Sequence, residues 1–189
     1  MARLVAEYDL ELDWRGFELH PRTPVGGMAI AELFRGADLG AMQARMQAFA
    51  AGFGVTEMAS HSRLPNTRRA LAVAELARDE GLLHPLRDAV MVAHWEEARD
   101  IEDLDVLAEL ARDAGLDPDA ARAAADAPEY KARIDAIRLE SQRIGVTGIP
   151  TFIFGTIGGR IQATAAVGCQ PYEHLAAAAE KAGARKRSA

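Results

Sequence analysis

The sequence predicts an α/β protein in which strands near both ends of the chain enclose a long helical block. Residues 10–14 alternate apolar and acidic side chains with a period of two, as a half-buried strand does. Residues 28–143 place apolar side chains at spacings of three and four, which is the pattern of a helix. Residues 151–154 form a short apolar run after Pro150, and proline is tolerated at the first position of a strand.

The N-terminal part of the chain begins with a short helical stretch. Residues 3–8 are typical of the last turns of a helix, and they lead directly into the predicted strand, which extends over residues 10–19. Residues 20–27 contain two prolines and two glycines, a composition that favours turns. We therefore expect helix, strand and turn in this order.

The helical block divides into helices at identifiable start and stop signals. The first helix covers residues 37–53, and we expect its apolar face, which includes Met42 and Met46, to pack into a core. Asn66 or Thr67 can cap the next helix, since both side chains accept hydrogen bonds from free N–H groups. Further helices are expected over residues 83–98 and 103–114, from Asp117-Pro118 onward, and over residues 128–144.

The C-terminal part contains two predicted strands and a helix. The strands cover residues 152–154 and 160–167, and the glycines at positions 155, 158 and 159 favour a hairpin turn between them. An alanine-rich helix follows over residues 171–182. The domain prediction is therefore a core formed by residues 1–27 and 144–189, with an inserted helical domain over residues 28–143.

Several short motifs resemble those of one protein family. Residues 145–152, G-V-T-G-I-P-T-F, resemble the cis-proline loop of the thioredoxin fold. Residues 14–21 (W-R-G-F-E-L-H-P), 64–71 (L-P-N-T-R-R-A-L), 99–101 (R-D-I) and 168–172 (G-C-Q-P-Y) resemble the FrnE-like branch of the DsbA family. This branch is related to kappa-class glutathione transferases and 2-hydroxychromene-2-carboxylate isomerases. The resemblance implies a thioredoxin-like fold with a large all-helical insertion.

The family pattern begins with a strand and a Cys-Pro-x-Cys sequence, whereas the single cysteine of this chain is Cys169. The resemblance therefore implies that the first core strand is missing and that the Cys-x-x-Cys lies upstream of Met1. No catalytic residue is expected within this chain. The missing strand would pair with residues 10–17 and 151–154, so we expect its loss to threaten the fold. A fragment, or a gap filled by a rearranged segment or another subunit, would also explain the pattern.

The resemblance implies a substrate-binding loop at Ile149, Pro150 and Thr151. In the family the peptide bond before this proline is cis, and Ile149 would offer its N–H and C=O to an extended peptide. Asn66 has two interpretations. It caps a helix, or it lies at the rim of the active cleft, since the kappa-type relatives place an asparagine in a comparable turn near bound glutathione.

Neither Cys169 nor the histidines predict a further site. Cys169 lies near the start of the last helix, where a thiol can become reactive, but it has no second cysteine to resolve a mixed disulfide. In the family fold this turn lies away from the proline loop, so we expect an incidental thiol. The spacing around His94 does not match a metal-binding pattern, and we expect no metal site.

The resemblance implies a thiol–disulfide oxidoreductase that acts on protein or peptide thiols and disulfides. Without a Cys-x-x-Cys the 189-residue chain is expected to be inactive as a dithiol enzyme. Two other classes stay open: a glutathione-dependent transferase or isomerase of the kappa type, and a non-catalytic peptide-binding module. Glutathione is the one candidate cofactor, and a homo-oligomer is compatible with the sequence.

Composition and net charge limit the classes of partner that we expect for this protein. The net charge is −6 and no basic stripe is present, so we expect no nucleic-acid partner. No run of about 18 apolar residues appears, so we expect no membrane partner. The first residues include two acids and lack the pattern of a secretory signal. We therefore expect a cytoplasmic protein.

Overall fold

The computed structural model describes residues 1–155 and 164–187. The helices are α1 (Ala2–Glu7), α2 (Ile30–Leu33), α3 (Leu39–Ala51), α4 (Arg68–Asp79), α5 (Leu83–Trp95), α6 (Leu104–Asp113), α7 (Pro118–Asp126), α8 (Pro128–Arg143) and α9 (Tyr172–Lys181). The strands are β1 (Met28–Ala29), β2 (Arg63–Leu64), β3 (Thr151–Phe154) and β4 (Thr164–Val167). In the described residues no helix has the length and apolar character needed to cross a membrane.

The chain forms two compact units. The core unit contains Met1–Leu19 and Leu139–Ala189, and the helical unit contains His20–Arg138. Residues 20–27, predicted in the core, belong to the helical unit, and residues 139–143, predicted in the inserted domain, belong to the core unit. Hydrogen bonds account for the placement of residues 20–27, since the Thr23 carbonyl accepts from Asn66 Nδ2 and the Gly26 N–H donates to Glu102.

The core unit buries one face of α1 and one face of α9. Leu4 and Tyr8 are each 1% exposed, and they share an apolar cluster with Phe154 and Leu175. The Tyr8 hydroxyl donates to Glu180 at 2.6 Å, a hydrogen bond that raises the pKa of Tyr8 to about 12. The chain after α9 returns to this place, where Tyr8 and Lys186 form an antiparallel bridge.

β3 and β4 form an antiparallel pair with a register from Thr151↔Val167 to Phe154↔Thr164. The strand predicted at residues 152–154 therefore starts one residue later than β3, and the strand predicted at residues 160–167 includes β4, while residues 160–163 lie outside the described residues. The predicted glycine turn, with Gly158 and Gly159, lies outside the described residues. α9 follows in the predicted place and packs on β4.

The strand predicted over residues 10–19 is wrong, because the structure assigns no strand there. The alternation itself is present, since Leu12 and Trp14 are half-buried while Glu11 and Asp13 are exposed. A period of two reports which side chains face the protein, but a strand also requires a neighbouring strand in register. Both described sheets are formed by other segments of the chain.

The helical unit is built on close packing of alanine-rich helices. The cluster formed by α4, α5, α6 and α7 contains Val73, Leu86 and Leu107, each at most 1% exposed. Alanines between them, among them Ala77 and Ala111 at 0% exposure, let the helices approach closely. This order of helices confirms a helical insertion, although the insertion is not all-helical, because β1 and β2 form a short antiparallel pair within it.

The helix starts in this unit follow the predicted capping chemistry. Asp103 Oδ1 accepts from the Asp105 and Val106 N–H groups at 2.7 and 3.2 Å. Asp117 caps α7, with Pro118 in its first turn. Thr67 occupies the N-cap position of α4 without a side-chain cap. The neighbouring Asn66 Oδ1 instead accepts from the Arg68 N–H at 2.9 Å.

α3 forms where the apolar spacing predicts a helix, but it buries none of its side chains. The expectation that its apolar face packs into a core is therefore wrong. Met42 is only half-buried, Met46 is 39% exposed and Phe49 is 58% exposed. The periodic spacing of apolar residues located the apolar face of α3. It could not show whether another segment of the chain packs on that face.

Candidate substrate-binding site

The proline loop connects the end of α8 to the start of β3. The Gly145 N–H donates to the Gln142 carbonyl, and the Val146 N–H donates to the Ser141 carbonyl at 2.9 Å. Gly145 has a φ of +79°, a left-handed conformation that glycine adopts without steric cost. These bonds end the helix and turn the chain toward the strand.

The predicted site residues Ile149, Pro150 and Thr151 lie together at the end of this loop. The Ile149–Pro150 peptide bond is cis. The Thr151 hydroxyl donates to the Gly148 carbonyl at 2.6 Å, which ties the loop to the first residue of β3. Ile149 is 51% exposed, so its side chain is available to a ligand.

One edge of β3 carries backbone groups that β4 does not use. The Gly168 N–H donates to the Pro150 carbonyl at 2.7 Å, which extends the β3–β4 ladder by one pair. Alternate residues of an antiparallel strand point their N–H and C=O groups toward the same neighbour. The backbone N–H and C=O groups of Phe152 and Phe154 therefore point toward β4. Those of Thr151 and Ile153 point toward the opposite edge of β3. No strand among the described residues pairs with that edge.

Exposed apolar side chains lie on one face of the β3–β4 pair. Ile153 is 41% exposed and Val167, the cross-strand partner of Thr151, is 49% exposed. An open backbone edge beside exposed apolar side chains is the arrangement that binds an extended peptide as an added strand. Backbone hydrogen bonds then supply affinity, and the side-chain contacts supply specificity.

Asn66, the fourth predicted site residue, lies in the helical unit before α4. Its Nδ2 donates to the Thr23 carbonyl at 2.7 Å and its Oδ1 accepts from Arg68. Its N–H donates to Glu102 Oε2 at 3.2 Å. Through these contacts Asn66 joins the turn at Thr23 to the start of α4, and its place at the rim of the active cleft stays a prediction.

Glu102 organises this region and was missed by the sequence reasoning. It is 8% exposed, and its carboxylate accepts from the N–H groups of Gly26 at 2.7 Å and Asn66. It lies in an acidic stretch before α6, which in a sequence looks like a solvated helix start. Only the long-range contacts distinguish this carboxylate from its exposed neighbours.

Cys169 is exposed in the turn between β4 and α9. The expectation that this turn lies away from the proline loop is wrong. Cys169 directly follows Gly168, whose N–H binds the Pro150 carbonyl. The antiparallel pairing of β3 with β4 accounts for this placement.

A separate cavity of about 340 Å³ lies in the helical unit, lined by His61, Arg63, His94 and Asp100 among others. The two imidazole rings stack with centroids 4.4 Å apart, and the Trp95 ring meets both edge-on. His61 Nε2 and His94 Nδ1 are buried without a hydrogen-bond partner among the described residues. Among the described residues of the whole chain, no group of three or more His, Cys, Asp or Glu side chains could hold a metal ion.

This histidine pair predicts a loss of stability in acid. Burial, and then the neighbouring His61, lower the pKa of His94 from 6.5 to about 4, while Asp100 acts in the opposite direction. Between these two values the unfolded state binds more protons, so the free energy of unfolding falls as the pH drops. We expect His94 to contribute about 1–2 kcal/mol of this loss by about pH 4.5, an amount reduced by the partial exposure of the ring.

The measurement is urea denaturation at about pH 7 and pH 4.5 for the wild type and His94→Gln. The variant is expected to lose less stability in acid than the wild type does. His84→Gln, an exposed histidine on the same helix, is the control and should retain the full pH dependence. An unchanged pH dependence in His94→Gln would contradict the assignment.

Comparison with known proteins agrees with this architecture. The family model for a DSBA-like thioredoxin domain matches residues 1–180. The uncharacterised protein YwbO of Bacillus subtilis (strain 168) is 27% identical over 154 residues, which are 78% of this chain and 73% of that protein. A crystal structure of a probable DsbA oxidoreductase from Streptomyces coelicolor superimposes with a TM-score of 0.75 and 28% identity. The match covers 89% of this chain and 73% of that chain.

These matches define the class of protein: a DsbA-like protein with a thioredoxin-like α/β fold and a helical insertion. The chain belongs to the family of DSBA-like thioredoxin domains. The resemblance inferred from residues 145–152 and the other motifs is thereby confirmed at the level of the family and of the fold.

Proposed function

We propose that these 189 residues of the DsbA-like protein bind extended protein or peptide segments that carry thiols or disulfides along the open edge of β3. This is the edge at which the resemblance places the missing core strand, and the bound peptide would pair with β3 in the place of that strand. The observation that carries the proposal is the pair of residues Thr151 and Ile153, whose backbone groups point away from β4 beside the proline loop. The family membership supports a substrate of this class. Ile149, 51% exposed, supplies an apolar contact at the start of the edge.

Binding of the substrate and disulfide exchange require different groups of this chain. Disulfide exchange by a dithiol enzyme requires one thiolate that attacks and a second thiol that resolves the mixed disulfide. The 189 residues contain only Cys169, so they hold no such pair. We therefore propose that this chain binds the substrate but does not turn it over by itself.

A single cysteine also fits a reducing compartment, and we therefore propose that the protein is located in the cytoplasm.

Peptide binding to Ile153→Pro tests the docking edge. Proline removes the N–H that points to the open edge, but it leaves the hydrogen bonds between β3 and β4 in place. We expect fluorescence anisotropy with a labelled cysteine-containing decapeptide, reduced or as a mixed disulfide, to show at least about tenfold weaker binding. Ile153→Ala keeps the N–H and is the matched control. Equal affinity of the wild type and Ile153→Pro would refute the docking edge.

Two further measurements distinguish the proposed peptide-binding function from a dithiol oxidoreductase and from a kappa-type glutathione enzyme. Reduction of insulin disulfides by the 189-residue chain should stay at the background rate, and Cys169→Ser should not change it. Catalytic reduction would refute the proposal that this chain binds the substrate without turning it over.

Glutathione is the second ligand to titrate. Binding of glutathione much tighter than the decapeptide, and unaffected by Ile153→Pro, would favour a kappa-type enzyme over the proposed function.

A further inference from the structure

α1 lacks the features that stabilise a helix by itself. It has six residues, no side chain caps its start at Met1, and Leu4 is the one buried side chain within it. A helix this short is not stable in water unless it packs against other elements. α1 therefore depends on contacts with the rest of the core unit.

The chain after α9 turns back toward this helix. The Ala184 N–H donates to the Ala179 carbonyl at 3.0 Å. Gly183, just before it, has a φ of +99°, a left-handed conformation that favours glycine at the end of a helix. The turn directs residues 184–187 along the segment that follows α1, and we call these four residues the clasp.

Backbone hydrogen bonds join the clasp to this segment in both directions. The Asp9 N–H donates to the Arg185 carbonyl at 2.9 Å. The Arg187 N–H donates to the Glu7 carbonyl at 2.9 Å. Two side chains add to this pairing, since Arg187 Nε donates to the Tyr8 carbonyl and the Asp9 carboxylate accepts from the Arg185 N–H. The clasp therefore holds the backbone on both sides of Tyr8.

The clasp lies at the surface, whereas the residue that it holds is buried. The side chains of residues 185–187 are exposed, so the clasp buries little apolar surface of its own. Tyr8 instead packs in the apolar cluster with Leu4, Phe154 and Leu175. Segments with few buried apolar contacts and solvent-exposed backbone hydrogen bonds open at low free-energy cost. Opening of the clasp would remove the bonds that keep Tyr8 in this cluster.

We propose that residues 184–187 and residues 2–9 form one local unit that opens and closes while β3, β4 and α9 stay folded. In the closed state Leu4 and Tyr8 cover the cluster that contains Phe154 and Leu175. In the open state both side chains leave this cluster, and α1 unfolds because its packing is lost. The ladder between β3 and β4 and the packing of α9 on β4 involve neither segment and remain in place.

Amide hydrogen exchange in Arg187→Pro tests this proposal. Proline removes the N–H that binds the Glu7 carbonyl, and the substitution also removes the bond from Nε. We expect the amides of Tyr8 and Asp9 to exchange at least about tenfold faster than in the wild type. The Gly168 amide, which extends the β3–β4 ladder, should exchange at the wild-type rate.

Lys186→Pro is the matched control. Tyr8 and Lys186 face each other in an antiparallel bridge, and the backbone bonds are formed by the residues on either side of them. The Lys186 N–H therefore points away from the segment after α1, and its loss leaves these bonds in place. Unchanged exchange of Tyr8 and Asp9 in Arg187→Pro, equal acceleration by both prolines, or equally faster exchange at Gly168 would each overturn the proposal.

Thiol accessibility provides an independent measurement. In a Cys169→Ser background, Leu4→Cys places a thiol on the buried side of α1. Its reaction with dithionitrobenzoate should become at least about tenfold faster when Arg187→Pro is added. Leu86→Cys, in the buried cluster of the helical unit, should react slowly with and without Arg187→Pro. The same reaction rate of Leu4→Cys in both backgrounds would contradict an opening of α1 controlled by the clasp.

Discussion

Leu86→Ala is expected to lower the free energy of unfolding of the helical unit by about 3–5 kcal/mol. Leu86 is 0% exposed and lies in the cluster with Ala77, Leu107 and Ala111. The cost of such a truncation is the lost transfer free energy plus a term for the cavity that remains. Alanine side chains have no rotamers with which to fill a cavity, so the cavity should persist.

Urea denaturation followed by circular dichroism measures this effect. Leu139→Ala is the matched control, since the same truncation at a residue that is 50% exposed should change stability by no more than about 0.5 kcal/mol. Leu86→Ala and Leu139→Ala with equal stability would show that the cluster does not have the packing described here.

Glu102→Ala is expected to destabilise the helical unit by about 2–4 kcal/mol, because two N–H donors lose their acceptor. Gly26 and Asn66 donate to this carboxylate from segments that are distant from it in sequence. The turn that holds Asn66 should therefore loosen together with the segment that holds Gly26. Glu102→Gln keeps one acceptor oxygen and should lose roughly half as much.

Thermal unfolding and amide hydrogen exchange are the two measurements for Glu102. Faster exchange of the Gly26 and Asn66 amides is expected in Glu102→Ala and would distinguish a local loosening from general instability. Glu109→Ala removes an exposed carboxylate that pairs with Arg99, and it should cost less than about 1 kcal/mol. A Glu102→Ala protein with unchanged exchange at both amides would disprove the role assigned to this carboxylate.

The sequence alone determined the family, the fold class and the position of most elements. Helix signals are local, since a cap such as Asp117 lies within a few residues of the bonds it makes. The strand after Pro150 could be predicted for the same reason, because the run at residues 151–154 and its preceding glycines are contiguous in the chain. The loop residues Ile149, Pro150 and Thr151 followed from a motif that is equally local.

Only the tertiary structure decided which of these segments find partners. Residues 10–19 alternate like a strand, yet no described strand pairs with them, and α3 has an apolar stripe without a core to cover it. Glu102 and Cys169 acquired their positions from contacts with segments far away in the chain. A periodic pattern records the two faces of one segment, whereas pairing and burial depend on a second segment that the pattern does not contain.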